Sequence, residues 1–194
     1  MPLKLYANFI SQPSRTVIWV LKVKNVDFHL VEMNPGTDFF KTDEFKALNP
    51  NRLVPVMKDD DYVLTEGMAI LMYLSDKFDW TGPKDLYPKD IKVRARINEF
   101  LHWHHTNTRL FTLNIFRPAT AKKSNSATDK DLEALDGMDA LIERVFGLLE
   151  GFLFSKYPKV AAWIGRMKKT AHNEEVHKTL EGYIAKHGLQ NFHA

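Results

Sequence analysis

The first third of the chain alternates between two periodicities of apolar and polar positions. Apolar residues occupy every second position in Leu3–Ala7, which predicts a β-strand with one buried face. A turn follows, in which Pro13 suits the first position of a helix whose apolar positions begin at Val17. Phe28–Met33 has the pattern of a second strand. The predicted order is therefore strand, helix, strand.

Two further apolar runs, Leu53–Met57 and Tyr62–Leu64, flank the acidic stretch Lys58–Asp61. This pattern predicts a β-hairpin with a solvated turn, and a helix that begins near Glu66. The complete order is βαβ followed by ββα, the order of a thioredoxin-like α/β domain.

Pro55 interrupts the first arm of this hairpin, because proline cannot donate a hydrogen bond to a neighbouring strand. A cis Val54–Pro55 bond explains its presence and turns the Val54 N–H and C=O outward, where an extended peptide ligand can pair with them. Glu66 is an acceptor for an ammonium group, and Gly67 lies at a helix N-terminus that suits a carboxylate. The stretch fits a peptide ligand with a free α-amine and a free α-carboxylate.

The second half of the chain has only helical periodicity. Asp79–Pro88 contains two prolines and a glycine, which predicts a linker and a domain boundary near residues 80–86. Helices are expected from Val93 to Phe111, from a capping box at Thr128 to Leu149, after Pro158, and over Val176–Ile184. The expected domains are a thioredoxin-like domain at 1–80 and an all-α domain at 87–194.

The amino-acid composition excludes several kinds of chemistry and of binding partner. The 194 residues are 44% hydrophobic and contain no cysteine, which excludes disulfides, thiolate metal sites and a cysteine nucleophile. The net charge of +3 arises from interleaved basic and acidic residues, which argues against nucleic-acid binding. Apolar runs such as Met68–Leu74 are too short to span a membrane, and the N-terminus lacks the core of a signal peptide. We expect a cytoplasmic protein with no membrane contact.

Two serines, Ser11 and Ser14, lie where redox proteins of this fold carry a Cys-x-x-Cys pair. A serine hydroxyl cannot exchange disulfides, but it can donate a hydrogen bond to a thiolate that a ligand brings. Such a bond, worth roughly 1.5–3 kcal/mol, lowers a thiol pKa by about one to two. The alternative role for either serine is a helix cap, which is the commoner use of serine at this position.

His102, His104 and His105 suggest a metal site, but no carboxylate or cysteine nearby completes a ligand set. We therefore expect no metal and interpret these residues as partly buried or surface histidines.

Several motifs together resemble the theta-class glutathione S-transferases. They are Ser11–Arg15 after Leu5 and Tyr6, Asn49-Pro50 with Val54-Pro55, Leu64–Ile70 with Tyr73-Leu74, and Trp103–Arg109. The resemblance implies glutathione, γ-glutamyl-cysteinyl-glycine, as the co-substrate. It implies that Ser11 donates to the thiolate while Ser14 is structural. It also implies a substrate-binding set of Gln12, Phe40, Leu53, Val54, Glu66, Gly67 and Arg109. For Arg109, a surface salt bridge is an equally good interpretation.

The chain departs from the resemblance at four points. Phe40 stands where the class commonly has histidine, Leu53 where it often has lysine, and Gly67 where it usually has serine. The first two changes remove cationic or polar contacts to the glycyl end of glutathione. A buried helix of the second domain has no counterpart near residues 150–152, which suggests a shortened domain.

The resemblance implies an enzyme that conjugates the glutathione thiolate to small apolar electrophiles or reduces hydroperoxides, and that forms a homodimer. The alternative is a non-catalytic module of the same fold that binds proteins or apolar ligands. The departures at Phe40 and Leu53 and the shortened second domain favour this alternative.

Overall fold

The computed structural model describes residues 2–34, 37–82, 85–123, 125–136, 140–141, 172, 174–175, 177–178 and 182. The chain forms two compact units, one of residues 1–90 with 170–183 and one of residues 91–169 with 184–194. The division into a glutathione-binding domain at 1–80 and an electrophile-binding domain at 87–194 is a functional one, and it stays a prediction.

The first unit contains the predicted βαβ and ββα elements. Its strands are β1 (Leu3–Ala7), β2 (Phe28–Glu32), β3 (Val56–Asp59) and β4 (Tyr62–Thr65), and its helices are α1 (Gln12–Val23), α2 (Asp43–Leu48) and α3 (Gly67–Lys77). The strand order is β2-β1-β3-β4, with β1 parallel to β2 and both other pairings antiparallel. A short 3₁₀ turn, Asp38–Lys41, precedes α2. The thioredoxin-like fold is confirmed.

Alternation along β1 directs side chains to two apolar clusters, one on each face of the sheet. Leu5 packs with Ile18 of α1 and Ile70 of α3 in the first cluster. Tyr6 faces the other way and packs with Phe45 of α2 in the second cluster. Because both faces of the sheet are covered, the ends of α1 and α3 are held in fixed positions relative to β3.

The hairpin differs from its prediction at both ends of β3. Pairing begins at Val56 rather than Leu53, since Pro55 has no N–H to donate. The turn comprises only residues 60–61, and the prediction that Asp59 is solvated is wrong. Asp59 is 7% exposed because it accepts hydrogen bonds from Tyr73 Oη at 2.6 Å and from Lys77 Nζ, both on α3.

The described part of the second unit is helical, as predicted. It comprises α4 (Ile91–Thr106), α5 (Arg109–Phe111), a π-helical turn (Thr112–Phe116), α6 (Arg117–Lys123) and α7 (Asp129–Asp136). The single helix expected up to Phe111 is interrupted after Thr106. Asn107 Nδ2 and Thr108 Oγ1 donate to carbonyls one turn earlier, and such side-chain bonds compete with a regular helix.

The helix expected after Pro158 and the shortening near 150–152 lie outside the described residues. Of the helix expected over Val176–Ile184, the described residues 177–178 and 182 are helical. No helix in the described part of the chain is both long enough and apolar enough to cross a membrane.

Candidate functional site

The turn between β1 and α1 presents Ser11, and Asn8 shapes it. Asn8 is buried, and its Oδ1 accepts the backbone N–H groups of Ile10 at 3.1 Å and Ser11 at 2.7 Å. Its Nδ2 donates to the carbonyl of Met33, which anchors the turn to the end of β2. One amide side chain therefore fixes the backbone of Ser11.

The buried side chain of Arg15 also stabilises this turn. Its side chain is 8% exposed, and Nη1 donates to the carbonyls of Phe9 at 3.0 Å and Ile10 at 2.7 Å. Burial lowers the pKa of Arg15 to about 10, so the guanidinium remains charged near neutral pH. The guanidinium bonds to the carbonyls of the two residues that precede Ser11, and its positive charge favours an anion at this turn.

Ser11 is half-buried and caps α1, since its Oγ accepts the N–H of Ser14 at 3.4 Å. A hydroxyl that accepts one bond still has its own proton to donate. The cap and the donation to a thiolate are therefore compatible roles. Ser14 is fully buried, and its Oγ has no hydrogen-bond partner among the described residues. Of the two hydroxyls, only that of Ser11 is exposed to a ligand.

Val54 and the loop before it form the second part of the site. The Val54–Pro55 bond is cis, as expected, and the Val54 N–H and C=O bond to no residue within the described ranges. Buried Asn49 fixes the loop, since its Nδ2 donates to the carbonyl of Leu53 at 2.9 Å and its Oδ1 accepts the N–H of Asn51 at 3.0 Å. An extended peptide can pair with Val54 without displacing an existing bond.

The start of α3 provides the third part. Glu66 is exposed and has a φ of +67°, a strained value for a residue other than glycine, and such strain is typical of ligand sites. Its carbonyl accepts the first bond of α3, from Ile70 N–H. A Cβ on Gly67 would lie 3.0 Å from Pro13 Cβ and 3.3 Å from Pro13 O. The absence of a side chain at Gly67 therefore lets the N-termini of α1 and α3 meet.

Phe40 and Leu53, two residues that the resemblance assigns to the site, have apolar side chains. The Phe40 ring packs edge-on against Phe45 at 5.4 Å, and Leu53 is 53% exposed. Arg52, the neighbour of Leu53, reaches Phe40, because its Nη1 donates to the Phe40 carbonyl at 3.1 Å. Arg52 has a φ of +53° and is half-buried.

The other predicted site residues are less informative. Gln12 is the first residue of α1 and is half-buried beside Ser11. Arg109 begins α5 in the second unit, and its approach to glutathione stays a prediction. Burial, then the charges of His105 and Arg109, lower the pKa of His104. Within the described ranges, no group of three or more His, Cys, Asp or Glu side chains is arranged to hold a metal ion.

Comparison with known proteins agrees with this geometry. Residues 1–76 match the family model for the glutathione S-transferase N-terminal domain. The chain is 35% identical to mouse glutathione S-transferase theta-3 over 174 residues, which cover 83% of this chain and 69% of that protein. The chain belongs to the glutathione S-transferase family. Within that family it is theta-like.

Two more relatives of this theta-like transferase define how far the similarity extends. It is 40% identical to rat glutathione S-transferase theta-1 over 111 residues, 56% of this chain and 45% of the rat protein. The chain thus spans about half the length of that relative. The solved structure of human glutathione transferase theta-2, in complex with glutathione and an unknown ligand, has a TM-score of 0.71 at 25% identity and covers 97% of this chain and 91% of that one.

Asn8, Arg15 and Arg52 were missing from the sequence-based site. Asn8 and Arg15 act on backbone carbonyls and amides, which a residue pattern does not reveal. Arg52 directly precedes Leu53, but the direction of its side chain depends on the positive φ of the loop. The contact between Gly67 and Pro13 was equally hidden, because it joins residues far apart in sequence.

Proposed function

We propose that this chain binds glutathione in an extended conformation and activates its thiol for attack on electrophiles or hydroperoxides. The observation that carries the proposal is the meeting of the α1 and α3 N-termini at Pro13 and Gly67. Helix N-termini present free N–H groups and a partial positive charge, so their convergence favours anions. The two anions of bound glutathione nearest this point are the thiolate and the γ-glutamyl carboxylate.

In this proposal each part of the ligand has a defined partner. The cysteinyl backbone pairs with the free N–H and C=O of Val54. The γ-glutamyl ammonium binds Glu66, and its carboxylate binds the N–H groups at Gly67. The Ser11 hydroxyl donates to the sulfur, and the charge of Arg15 adds to the stabilisation of the thiolate. Gln12, by its position, contacts the same end of the ligand.

The chemistry follows from the thiolate. In conjugation, the sulfur forms a bond to an electrophilic carbon while the leaving group departs with its electron pair. In hydroperoxide reduction, the sulfur takes the outer oxygen, the O–O bond breaks and an alcohol leaves. The resulting sulfenic acid then reacts with a second glutathione to give the disulfide and water. The relatives are named transferases, so the non-catalytic alternative is not favoured.

The test compares Ser11→Ala with Ser14→Ala in the full chain. Turnover with 4-nitrobenzyl chloride and cumene hydroperoxide separates conjugation from reduction. Ser11→Ala should lower kcat at least tenfold and raise the apparent pKa of kcat/KM by roughly 1 to 2, with little change in the Kd of glutathione. Ser14→Ala should leave kcat and the Kd of glutathione unchanged, because the Ser14 hydroxyl is buried and unpaired among the described residues.

Two results count against the proposal. If wild-type protein binds no glutathione at millimolar concentration, the site does not bind this ligand. If Ser11→Ala retains full turnover and an unchanged pH profile, the serine is not the donor to the thiolate, whichever substrate is used.

A further inference from the structure

Two consecutive peptide groups lead into Ser11, and side chains bind both ends of each. The carbonyls of Phe9 and Ile10 accept hydrogen bonds from Nη1 of Arg15 at 3.0 Å and 2.7 Å. The N–H groups of the same two peptide groups, those of Ile10 and Ser11, donate to Oδ1 of Asn8 at 3.1 Å and 2.7 Å. The backbone between β1 and α1 that carries the Ser11 side chain is therefore fixed by two side chains.

The amide of Asn8 has only one orientation that satisfies its contacts. Its Oδ1 faces two N–H donors, whereas its Nδ2 donates to the carbonyl of Met33 at 3.0 Å. Exchanging the two atoms would break all three bonds, because an amide oxygen only accepts and an amide nitrogen only donates. Asn8 is 5% exposed, so these contacts are shielded from water. The orientation of the amide is thus determined by its protein partners.

Met33, the anchor of this amide, is itself held in place. The pairing of β1 with β2 ends at Ala7 and Glu32, and the N–H of Met33 then donates to the carbonyl of Ala7 at 2.8 Å. The Met33 side chain is 1% exposed and lies in the second apolar cluster. Asn8 therefore extends the parallel pairing by one residue with its side chain, and it ties the turn to the packed sheet.

We infer that Asn8 is a positioning residue for Ser11: it holds the Ser11 backbone against the end of β2 and so keeps the hydroxyl where it donates to the thiolate of glutathione. The inference rests on the proposed function. A hydrogen bond weakens steeply when its angle or length departs from the optimum, so the effect of the Ser11 donor depends on the backbone that places it. Both polar atoms of the Asn8 amide have protein partners, so Asn8 acts through Ser11 rather than by touching the ligand.

The experiment is a double-mutant cycle in the full chain, with Asn8→Ala introduced into wild type and into Ser11→Ala. It measures kcat with 4-nitrobenzyl chloride and the thiol pKa of bound glutathione, followed by the ultraviolet absorbance of the thiolate. In wild type, Asn8→Ala should lower kcat about tenfold and raise the thiol pKa by about one, because a misplaced hydroxyl loses much of its hydrogen bond. In Ser11→Ala, the same substitution should change kcat less than about twofold, because no hydroxyl is left to position.

Three more variants complete the experiment. Asn8→Asp retains both acceptor contacts and should keep kcat within about threefold of wild type. Thr42→Val is the matched control for stability, because it also removes a side-chain acceptor of a backbone N–H, that of Phe45 at 3.2 Å, and it should leave kcat and the thiol pKa unchanged. Asn8→Ser replaces Asn8→Ala in the cycle if the alanine variant does not fold.

Three results overturn the inference. An equal loss of kcat from Asn8→Ala in both backgrounds means that Asn8 only stabilises the fold. A wild-type kcat and thiol pKa in Asn8→Ala mean that Ser11 does not need the amide. A loss in Asn8→Asp as large as that in Asn8→Ala means that the acceptor contacts are not what matters. Failure of the proposed function has a different signature, because wild type then binds no glutathione or Ser11→Ala alone leaves kcat unchanged.

Discussion

Replacing Asp59 by asparagine tests the link between the β3–β4 hairpin and α3. Asp59 ends β3 and accepts hydrogen bonds from Tyr73 and Lys77, which lie on the second and third turns of α3. The hairpin follows Val54 directly, and α3 follows Glu66. The cluster of Asp59, Tyr73 and Lys77 therefore fixes the spacing between two parts of the proposed glutathione site.

The exposure of Lys77 and the hydrogen bonds to Asp59 determine how much the substitution should lower the stability. Lys77 is 36% exposed, so water screens the ion pair and its loss costs about 1 kcal/mol. Asparagine still accepts a bond from Tyr73, but a bond to a neutral acceptor is weaker than one to a carboxylate by about 1 kcal/mol. We expect Asp59→Asn to lower the free energy of unfolding by about 2 kcal/mol at pH 7.

Urea denaturation across pH gives a second, independent readout. The hydrogen bonds from Lys77 and Tyr73 lower the pKa of Asp59, so its stabilisation is present above the unfolded-state pKa near 3.9 and is lost as pH falls through the folded value. The bond with Asp59 raises the pKa of both Lys77 and Tyr73, so their contribution is lost as pH rises beyond about 10. Wild type and variant should differ by a constant amount between about pH 5 and 9 and converge outside that range.

Asp61→Asn is the matched control for this variant. It also removes one negative charge, but from the exposed turn that follows β3, and it should change the free energy of unfolding by less than about 0.5 kcal/mol. The reasoning is refuted if Asp59→Asn is as stable as Asp61→Asn at pH 7, or if the difference between Asp59→Asn and wild type persists unchanged at pH 3.

Three further variants test the packing around the site. Gly67→Ala should lower stability by about 1–3 kcal/mol in a thermal melt, because its Cβ meets Pro13, whereas Gly182→Ala, with nothing within 4 Å, should not. Arg15→Met should change stability by only about 1–2 kcal/mol, since the removal of a buried charge offsets the two hydrogen bonds that disappear, yet kcat should fall at least tenfold. Thr42→Val removes the cap of α2 and should cost about 1 kcal/mol in urea denaturation.

Much of the first unit is predictable because local patterns and packing agree there. The alternation in Leu3–Ala7 marks β1 as observed, and Pro13, expected as the first residue of α1, is its second. The start of α3 was expected near Glu66 and lies at Gly67. In each case the residues that carry the signal are also those that pack or cap the element.

The errors arise where tertiary contacts override the local pattern. Asp59 lies in an acidic stretch that predicts a solvated turn, yet Tyr73 and Lys77 bind it. The interruption after Thr106 involves Asn107, whose side chain donates to the Trp103 carbonyl. The periodicity of apolar positions carries no information about such side-chain hydrogen bonds, so neither feature was predictable from it.

The departures from the family pattern at Gly67, Phe40 and Leu53 have one physical feature in common. Glycine at position 67 keeps the backbone N–H but lacks the hydroxyl donor of a serine, and without a Cβ it lies close to Pro13, where the N-termini of α1 and α3 meet. Phe40 and Leu53 supply no cation, but Arg52 lies beside them, held by the Phe40 carbonyl. In both places a group with positive charge or potential lies nearby, the N-terminus of α1 beside Gly67 and the guanidinium of Arg52 bonded to the Phe40 carbonyl. In the proposed function glutathione brings two carboxylates and a thiolate to this site, so we expect positive potential, rather than any particular side chain, to be what binding requires.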